Sequence, residues 1–294
     1  MSAKAKTATV RKAKAPTTKP RVKAASARAG RGKRTPHVLV LRAPGTNCDR
    51  ETAYAFEQAG ATTTAVHVNA LLASPRQLES VDGFVLPGGF SYGDDLGAGA
   101  VLGTMLRTRL GDPLKRLVDR GGIVLGICNG FQVLVRTGLL PGWDDESGED
   151  RLVALASNAQ NRYEDRWVTL EATSKHCVFV RPGDRLHVPV AHAEGRFVTR
   201  DPAVRQSMVD RDLVALRYVA PKGVSPAPFP FNPNGAEDDI AGITDPTGRV
   251  LGLMPHPERN QLPWQDPRFH RGDAPGVPDG RLPFRRAVQY LERR

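Results

Sequence analysis

The 294-residue chain holds 40% hydrophobic and 25% charged residues, an ordinary balance for a globular protein with ample material for a buried core. Its formal charge of +11 would suggest a nucleic-acid binder, but residues 1–35 carry 7 Lys and 5 Arg with no acidic residue, and that +12 leaves −1 for everything from Pro36 onward. Three cysteines (Cys48, Cys128, Cys177) exclude a disulfide scaffold and fit a reducing, cytoplasmic setting, and no apolar run reaches the roughly 18 residues of a membrane span.

Residues 1–35 have almost no large apolar side chains and lack the apolar stretch of a secretory signal. They are expected to form a disordered basic tail, at most weakly attracted to polyanions. Residues 36–294 are expected to form one domain. His37-Val-Leu-Val-Leu41 is a continuous apolar run, as in parallel strands covered on both faces. A turn-forming loop through Cys48 follows, then a helix from Asp49 to Ala59, stopped by Gly60. Strands are predicted at Thr63 to Val68 and Gly83 to Leu86, a helix at Leu114 to Asp119, and a strand at Ile123 to Leu125 leading into a helical segment from Phe131. Alternation at these intervals predicts an α/β fold with an open, mostly parallel, mixed sheet and helices on both faces.

After Gly142 comes an acidic, loop-like segment, 143–150. Short strands are predicted at Leu152 to Ala156, Arg166 to Glu171, Leu186 to Val190, Val214 to Tyr218, Ile240 to Thr244 and Val250 to Met254, several of them antiparallel. Residues 220–236, with five prolines and two glycines, and residues 260–284 read as long surface loops before a terminal helix, Arg285 to Leu291.

The chemistry centres on Gly126-Ile-Cys-Asn-Gly130. Glycines two places either side of a cysteine, between a strand and a helix, have the pattern of a nucleophile elbow. At such a turn the helix N-terminus favours thiolate over thiol. The bland alternative is a small core cysteine. His256, in Met254-Pro-His-Pro-Glu258, follows an apolar strand and is held by two prolines; Glu258 is placed to orient its ring, the alternative being a loop histidine beside an unrelated glutamate. Leu86-Pro-Gly-Gly89 follows a third strand, where successive N–H groups of Gly88 and Gly89, with that of Asn129, would form an oxyanion pocket.

Pro87-Gly-Gly89, Gly126-Ile-Cys-Asn-Gly130 and His256-Pro-Glu258, in that order, resemble the class I (triad) glutamine amidotransferases. Further motifs resemble the branch of that class serving the fourth step of purine synthesis: Pro44-Gly-Thr-Asn-Cys-Asp49, Gly88-Gly-Phe-Ser-Tyr-Gly-Asp-Asp95, Cys128-Asn-Gly-Phe-Gln132, His192-Ala-Glu-Gly195 and Asn232-Pro-Asn-Gly235. The resemblance covers about residues 37–260. It implies that Cys128 attacks L-glutamine, His256 and Glu258 complete the triad, and Gly88, Gly89, Asn129 and Gln132 bind oxyanion or substrate. His192 and Glu194 would then be an acid–base pair, a glutamine contact or a structural pair. It also implies ammonia transfer to a synthetase subunit, with a small bridging subunit. No cofactor is expected in this chain: ATP and Mg would belong to the synthetase, consistent with the missing G-x-x-x-x-G-K-[ST] loop. Arg162 and Arg166 lie in a partner- or substrate-facing region without an assigned role. Cys48 lacks an obvious base, and His176-Cys177 lacks companion ligands, so no metal site is expected.

The remaining rivals are an amidotransferase serving another acceptor, a cysteine peptidase or chaperone of related fold, and a nucleic-acid-associated protein using its tail.

Overall fold

The computed structural model describes Met1 and residues 34–142 and 151–294. The expectations for the basic tail up to residue 33 and for the acidic segment 143–150 lie outside the described residues. The described body starts at Arg34, whose guanidinium pairs with Asp82 at 2.7 Å.

In chain order the elements are β1 (His37–Arg42), α1 (Asp49–Gln58), β2 (Thr62–His67), α2 (Val68–Ala73), β3 (Gly83–Leu86), α3 (Ala100–Asp119), β4 (Ile123–Ile127) and α4 (Asn129–Thr137). There follow β5 (Val153–Ser157), β6 (Glu164–Ala172), β7 (Arg185–His192), β8 (Glu194–Thr199), α5 (Pro202–Asp210), β9 (Val214–Tyr218), β10 (Ile240–Thr244), β11 (Val250–Leu253) and α6 (Leu282–Leu291). Nine strands form one sheet in the order β2-β1-β3-β4-β11-β10-β9-β6-β7; β5 and β8 form a separate antiparallel pair. The sheet is mixed as expected: parallel from β2 to β11, antiparallel from β11 to β7.

The crossover from β1 to β2 runs opposite to that from β3 to β4, so right-handed connections place α1 and α3 on opposite faces. Beside α1 packs α6, with Phe56 and Phe284 meeting edge-to-face at 5.0 Å between ring centroids. On the other side α3 packs with α4, which lies so close to the sheet that a Cβ at Gly252 would meet the Phe131 ring at 2.1 Å.

The predicted strands appear within a residue or two. The helix expected at Leu114 is the last part of a 20-residue helix, α3, which buries Leu102, Leu106, Leu110, Leu114 and Leu117 at helical spacing. Gly103, Gly111 and Pro113 mask that stripe in the sequence; Gly103 is there because a Cβ would meet Arg136 Cβ at 2.4 Å. The strand β8 and helix α5 were not anticipated. Residues 220–236 and 260–281 contain only short 3-10 turns, as loops should. Among the described residues no helix is long and apolar enough to cross a membrane.

Candidate active site

Adjacent parallel strands β3, β4 and β11 end on one rim, the place where open α/β sheets build their sites. Cys128 follows β4 with φ of 52°, a left-handed conformation costly for a residue with a side chain, and its N–H donates to Leu253 O at 2.8 Å across to β11. Helix α4 begins at the next residue. The flanking glycines are steric requirements: a Cβ on Gly126 would lie 2.6 Å from Gly130 O, and one on Gly130 would lie 1.9 Å from Leu86 O. The predicted elbow is present, with Cys128 only 6% exposed.

His256 is held through its N–H, which donates to Pro189 O on β7 at 2.8 Å. Thus the antiparallel half of the sheet returns to wall the rim. Glu258 Oε1 lies 2.6 Å from His256 Nδ1, both side chains about 1% exposed. A carboxylate only accepts here, so Nδ1 carries the proton and Nε2, buried with no protein partner among the described residues, is the working atom. Burial alone would depress this imidazole, but Glu258, Cys128 and Cys48 together raise it well above the ordinary 6.5. Gly88 makes the approach possible, since a Cβ there would meet His256 Cε1 at 2.8 Å and Cys128 Cβ at 3.5 Å.

The loop that carries Gly88 and Gly89 is fixed by close backbone contacts. Gly89 has φ of 147°, a conformation available to glycine, and a Cβ there would meet Gly45 O at 2.4 Å. The loop is clamped to the 44–48 turn by N–H groups of Asn47 and Phe90, which donate to Gly88 O and Gly45 O. The N–H groups of Gly89 and Asn129 have no protein acceptor among the described residues.

The Asn129 side chain does further work. Its Oδ1 accepts from Ser91 N–H at 3.1 Å, and its Nδ2 donates to Asp94 and to Gln132 Oε1. This pins a loop in which Tyr92, Gly93 and Asp94 all have positive φ. Gln132 donates to Glu194 O at 2.7 Å. Asp94, which the sequence reading left without a role, lines the same pocket as Cys128, Gln132, His192 and Glu194.

Among the described residues no hydrogen bond joins His192 and Glu194. His192 Nδ1 meets Asn158 Oδ1 at 3.1 Å, and burial, reinforced by His256, pushes its imidazole down to about 3, so it stays neutral. Gly195 lies under that ring, a Cβ there meeting His192 Nδ1 at 2.5 Å, and Asn234 Nδ2 donates to Gly195 O. These contacts explain why the His-Ala-Glu-Gly and Asn-Pro-Asn-Gly segments go together.

Cys48 is closer to the chemistry than its sequence context suggested. Its Sγ is 4.0 Å from His256 Nδ1 and accepts from Arg259 Nη2 at 3.0 Å. Cys48, His256 and Glu258 are the described residues nearest to metal-ligand spacing, but the Arg259 cation and the His256–Glu258 bond already occupy their atoms. Arg162 and Arg166 both pair with buried Glu164 and lie over the Phe229 ring, at 5.8 and 4.8 Å. His176 binds Asp212 and Asp245 O, while burial pushes the neighbouring Cys177 thiol up to about 11.

One pH prediction follows. Because the His256 pKa is raised on folding, its contribution to stability is fully present below about 6.5 and fades as pH rises through the higher folded value. Glu258→Gln removes the largest favourable cause of that rise. The alkaline limb of a glutaminase pH–rate profile should move to lower pH, with kcat reduced by about 10²-fold or more. An unmoved limb would show that Glu258 does not hold the imidazolium.

Comparison with known proteins agrees with this geometry. The family described as CobB/CobQ-like glutamine amidotransferase domain matches residues 35–291. A phosphoribosylformylglycinamidine synthase subunit PurQ from Dehalococcoides mccartyi is 44% identical over 254 residues, covering 86% of this chain and 96% of that protein. The subunit of the same name from Methanococcus maripaludis is 41% identical over 270 residues, covering 88% and 98%. A chain in the structure of PurLQS from Thermotoga maritima superposes with a TM-score of 0.65 at 31% identity, covering 88% of this chain and 100% of that one. The chain belongs to the CobB/CobQ-like glutamine amidotransferase family, among the PurQ subunits of phosphoribosylformylglycinamidine synthase.

Proposed function

We propose that this chain is the glutaminase subunit of a phosphoribosylformylglycinamidine synthase. The observation that carries the mechanism is the buried Glu258–His256 pair at 2.6 Å, close to a cysteine held at an elbow, with Gly88 lying against both His256 and Cys128. Cys128 gives its Sγ proton to His256 Nε2 and attacks the side-chain amide carbon of L-glutamine. The N–H groups of Gly89 and Asn129 hold the oxyanion. His256 Nε2 delivers a proton to the departing nitrogen, releasing ammonia and leaving a γ-glutamyl thioester. His256 then takes a proton from water, which attacks the thioester; glutamate leaves and the thiol is restored. Glu258 stabilises the imidazolium throughout.

Ammonia passes to a synthetase subunit that aminates formylglycinamide ribonucleotide using ATP and Mg, with a small third subunit bridging the two. This chain needs no cofactor of its own and works in the cytoplasm, which the three free, buried cysteines support.

The test is reconstitution with the synthetase and small subunits. Glutamine should yield formylglycinamidine ribonucleotide and glutamate in equal amounts, and the glutaminase rate should rise on assembly. Glutamate release that never coupled to this acceptor would assign the chain to another amidotransferase.

A further inference from the structure

At the edge of the sheet opposite the catalytic rim, the loop between β6 and β7 meets the last turns of α6 and closes a cavity of about 170 Å³. The strand pairings place it there: β9 runs with β4 and β6 runs against β9, so β6 ends at the side where β4 begins. The α6 side agrees, since Tyr290 Oη donates to Gly121 O, just ahead of β4, at 3.3 Å.

Four cations line this cavity, Lys175 and Arg181 from the loop and Arg286 and Arg293 from α6 and its end, and no acidic residue does. The acids around it are committed elsewhere. Asp184 accepts from Arg286 Nη2 at 2.6 Å and from the Arg181 backbone N–H at 2.7 Å. Asp212 is 2.9 Å from His176 Nδ1 and accepts from the Lys175 backbone N–H at 2.7 Å, and Glu171 pairs with Arg185. The side chains of Lys175, Arg181 and Arg293 therefore keep their charge without an ion-pair partner among the described residues. From Pro36 onward the chain carries only −1, so this cluster is not the by-product of a basic body.

The loop is also held in place. Val178 N–H donates to Gly248 O in the turn before β11 at 2.9 Å, and Cys177 N–H donates to Ser174 Oγ at 3.3 Å. One donor is left over: Arg286 Nε is buried with no hydrogen-bond partner among the described residues, although Nη2 of the same group is held by Asp184. A buried charged donor left unpaired is costly, and an acceptor in the cavity that Arg286 lines would satisfy it.

Like charges gathered round a concave space concentrate a positive potential there, and the ligand that relieves it is a compact anion of two or more charges with acceptors on several sides. A carboxylate supplies one charge and two oxygens; a phosphate group supplies more of both and matches the arginine fork. We propose that this cavity binds the phosphate end of a phosphorylated small molecule, at a site separate from the glutaminase centre and independent of that reading.

The experiment titrates the full-length protein with inorganic pyrophosphate at constant ionic strength, by calorimetry. One saturable site is expected, and equimolar acetate should not displace the anion from it. Lys175→Ala and Arg293→Ala should each weaken binding by about tenfold. Arg285→Ala removes the same charge from α6 outside the cavity and should weaken it by less than about twofold. Lys175 and Arg293 are exposed, so each variant should keep its fold and release ammonia from glutamine at the wild-type rate. Absence of a saturable site, or its displacement by acetate, overturns the proposal. Equal weakening by Arg285→Ala overturns it as a diffuse charge effect. Wild-type affinity in both cavity variants overturns it too, and assigns the binding to the basic residues 1–35. The glutaminase reading stands through all of these outcomes and fails only if the wild-type protein releases no ammonia from glutamine.

Discussion

Replacing Cys128 with serine should abolish glutamine-dependent amination while the assembled complex continues to work with added ammonium. The expected loss of glutaminase activity is on the order of 10⁴- to 10⁶-fold, the scale seen when a covalent nucleophile is removed from an otherwise intact site. Serine is nearly isosteric, so the elbow, the Leu253 contact of the 128 N–H and the packing of α4 remain. What changes is the nucleophile. His256 takes up the proton of the attacking group, and the buried Glu258 together with Cys128 raises its pKa against the opposing effect of burial. A serine hydroxyl, with an unperturbed pKa far above that of a thiol, does not ionise against the same imidazole. Ammonium bypasses this chemistry because it enters after the C–N bond of glutamine would have been broken. Retention of glutamine-driven product would assign the attack to another group, and Cys48, 4.0 Å from His256 Nδ1, is the nearest thiol to examine. Loss of the ammonium reaction as well would mean that the substitution disrupts assembly rather than catalysis.

The parts of this site legible in the sequence are those fixed by local steric rules. Apolar runs ending in Gly-Gly, Gly-x-Cys-x-Gly and Pro-His-Pro-Glu mark three strand ends, and parallel neighbours put those ends on one rim. Each glycine has a reason visible only as absence of space, yet the residue type itself carries the signal. The parts that were not legible depend on contacts between distant segments. Cys48 and Arg259 meet from positions 211 apart, and nothing local to Cys48 announces a base. Asp94 reads as one more acid in a turn until Asn129, 35 residues on, pins it into the pocket. His192 reads as a titrating group until its burial beside His256 is seen to keep it neutral. The long helix α3 was obscured for a different reason. Its leucine stripe is regular, but Gly103, required by the close approach of Arg136, and Gly111, which packs against nothing, both lower helix propensity, and Pro113 falls inside it.

Gly130→Ala should be strongly destabilising, and Gly111→Ala should have the opposite sign. A Cβ at position 130 would lie 1.9 Å from Leu86 O and 2.6 Å from Leu86 C, both backbone atoms of β3 that cannot rotate away. Relief requires moving α4 off the sheet, against the packing of Phe131 in the space left by Gly252. Overpacking against side chains costs about 1–3 kcal/mol, and a rigid backbone obstacle belongs at or above the upper end of that range. The same displacement moves Cys128, which sits two residues earlier on the strained turn, away from His256 and the Gly89 N–H. A shift of ~1 Å is enough to reduce turnover by about 10²-fold. Gly111 lies inside α3 with nothing within 4 Å of its added Cβ, so alanine there should raise stability by about 0.5–1 kcal/mol through backbone entropy alone. Melting temperature and glutaminase rate, measured together, separate the two effects. If Gly130→Ala melts like wild type and retains its activity, then α4 has slack against β3 and the second glycine of the elbow is not what positions the nucleophile.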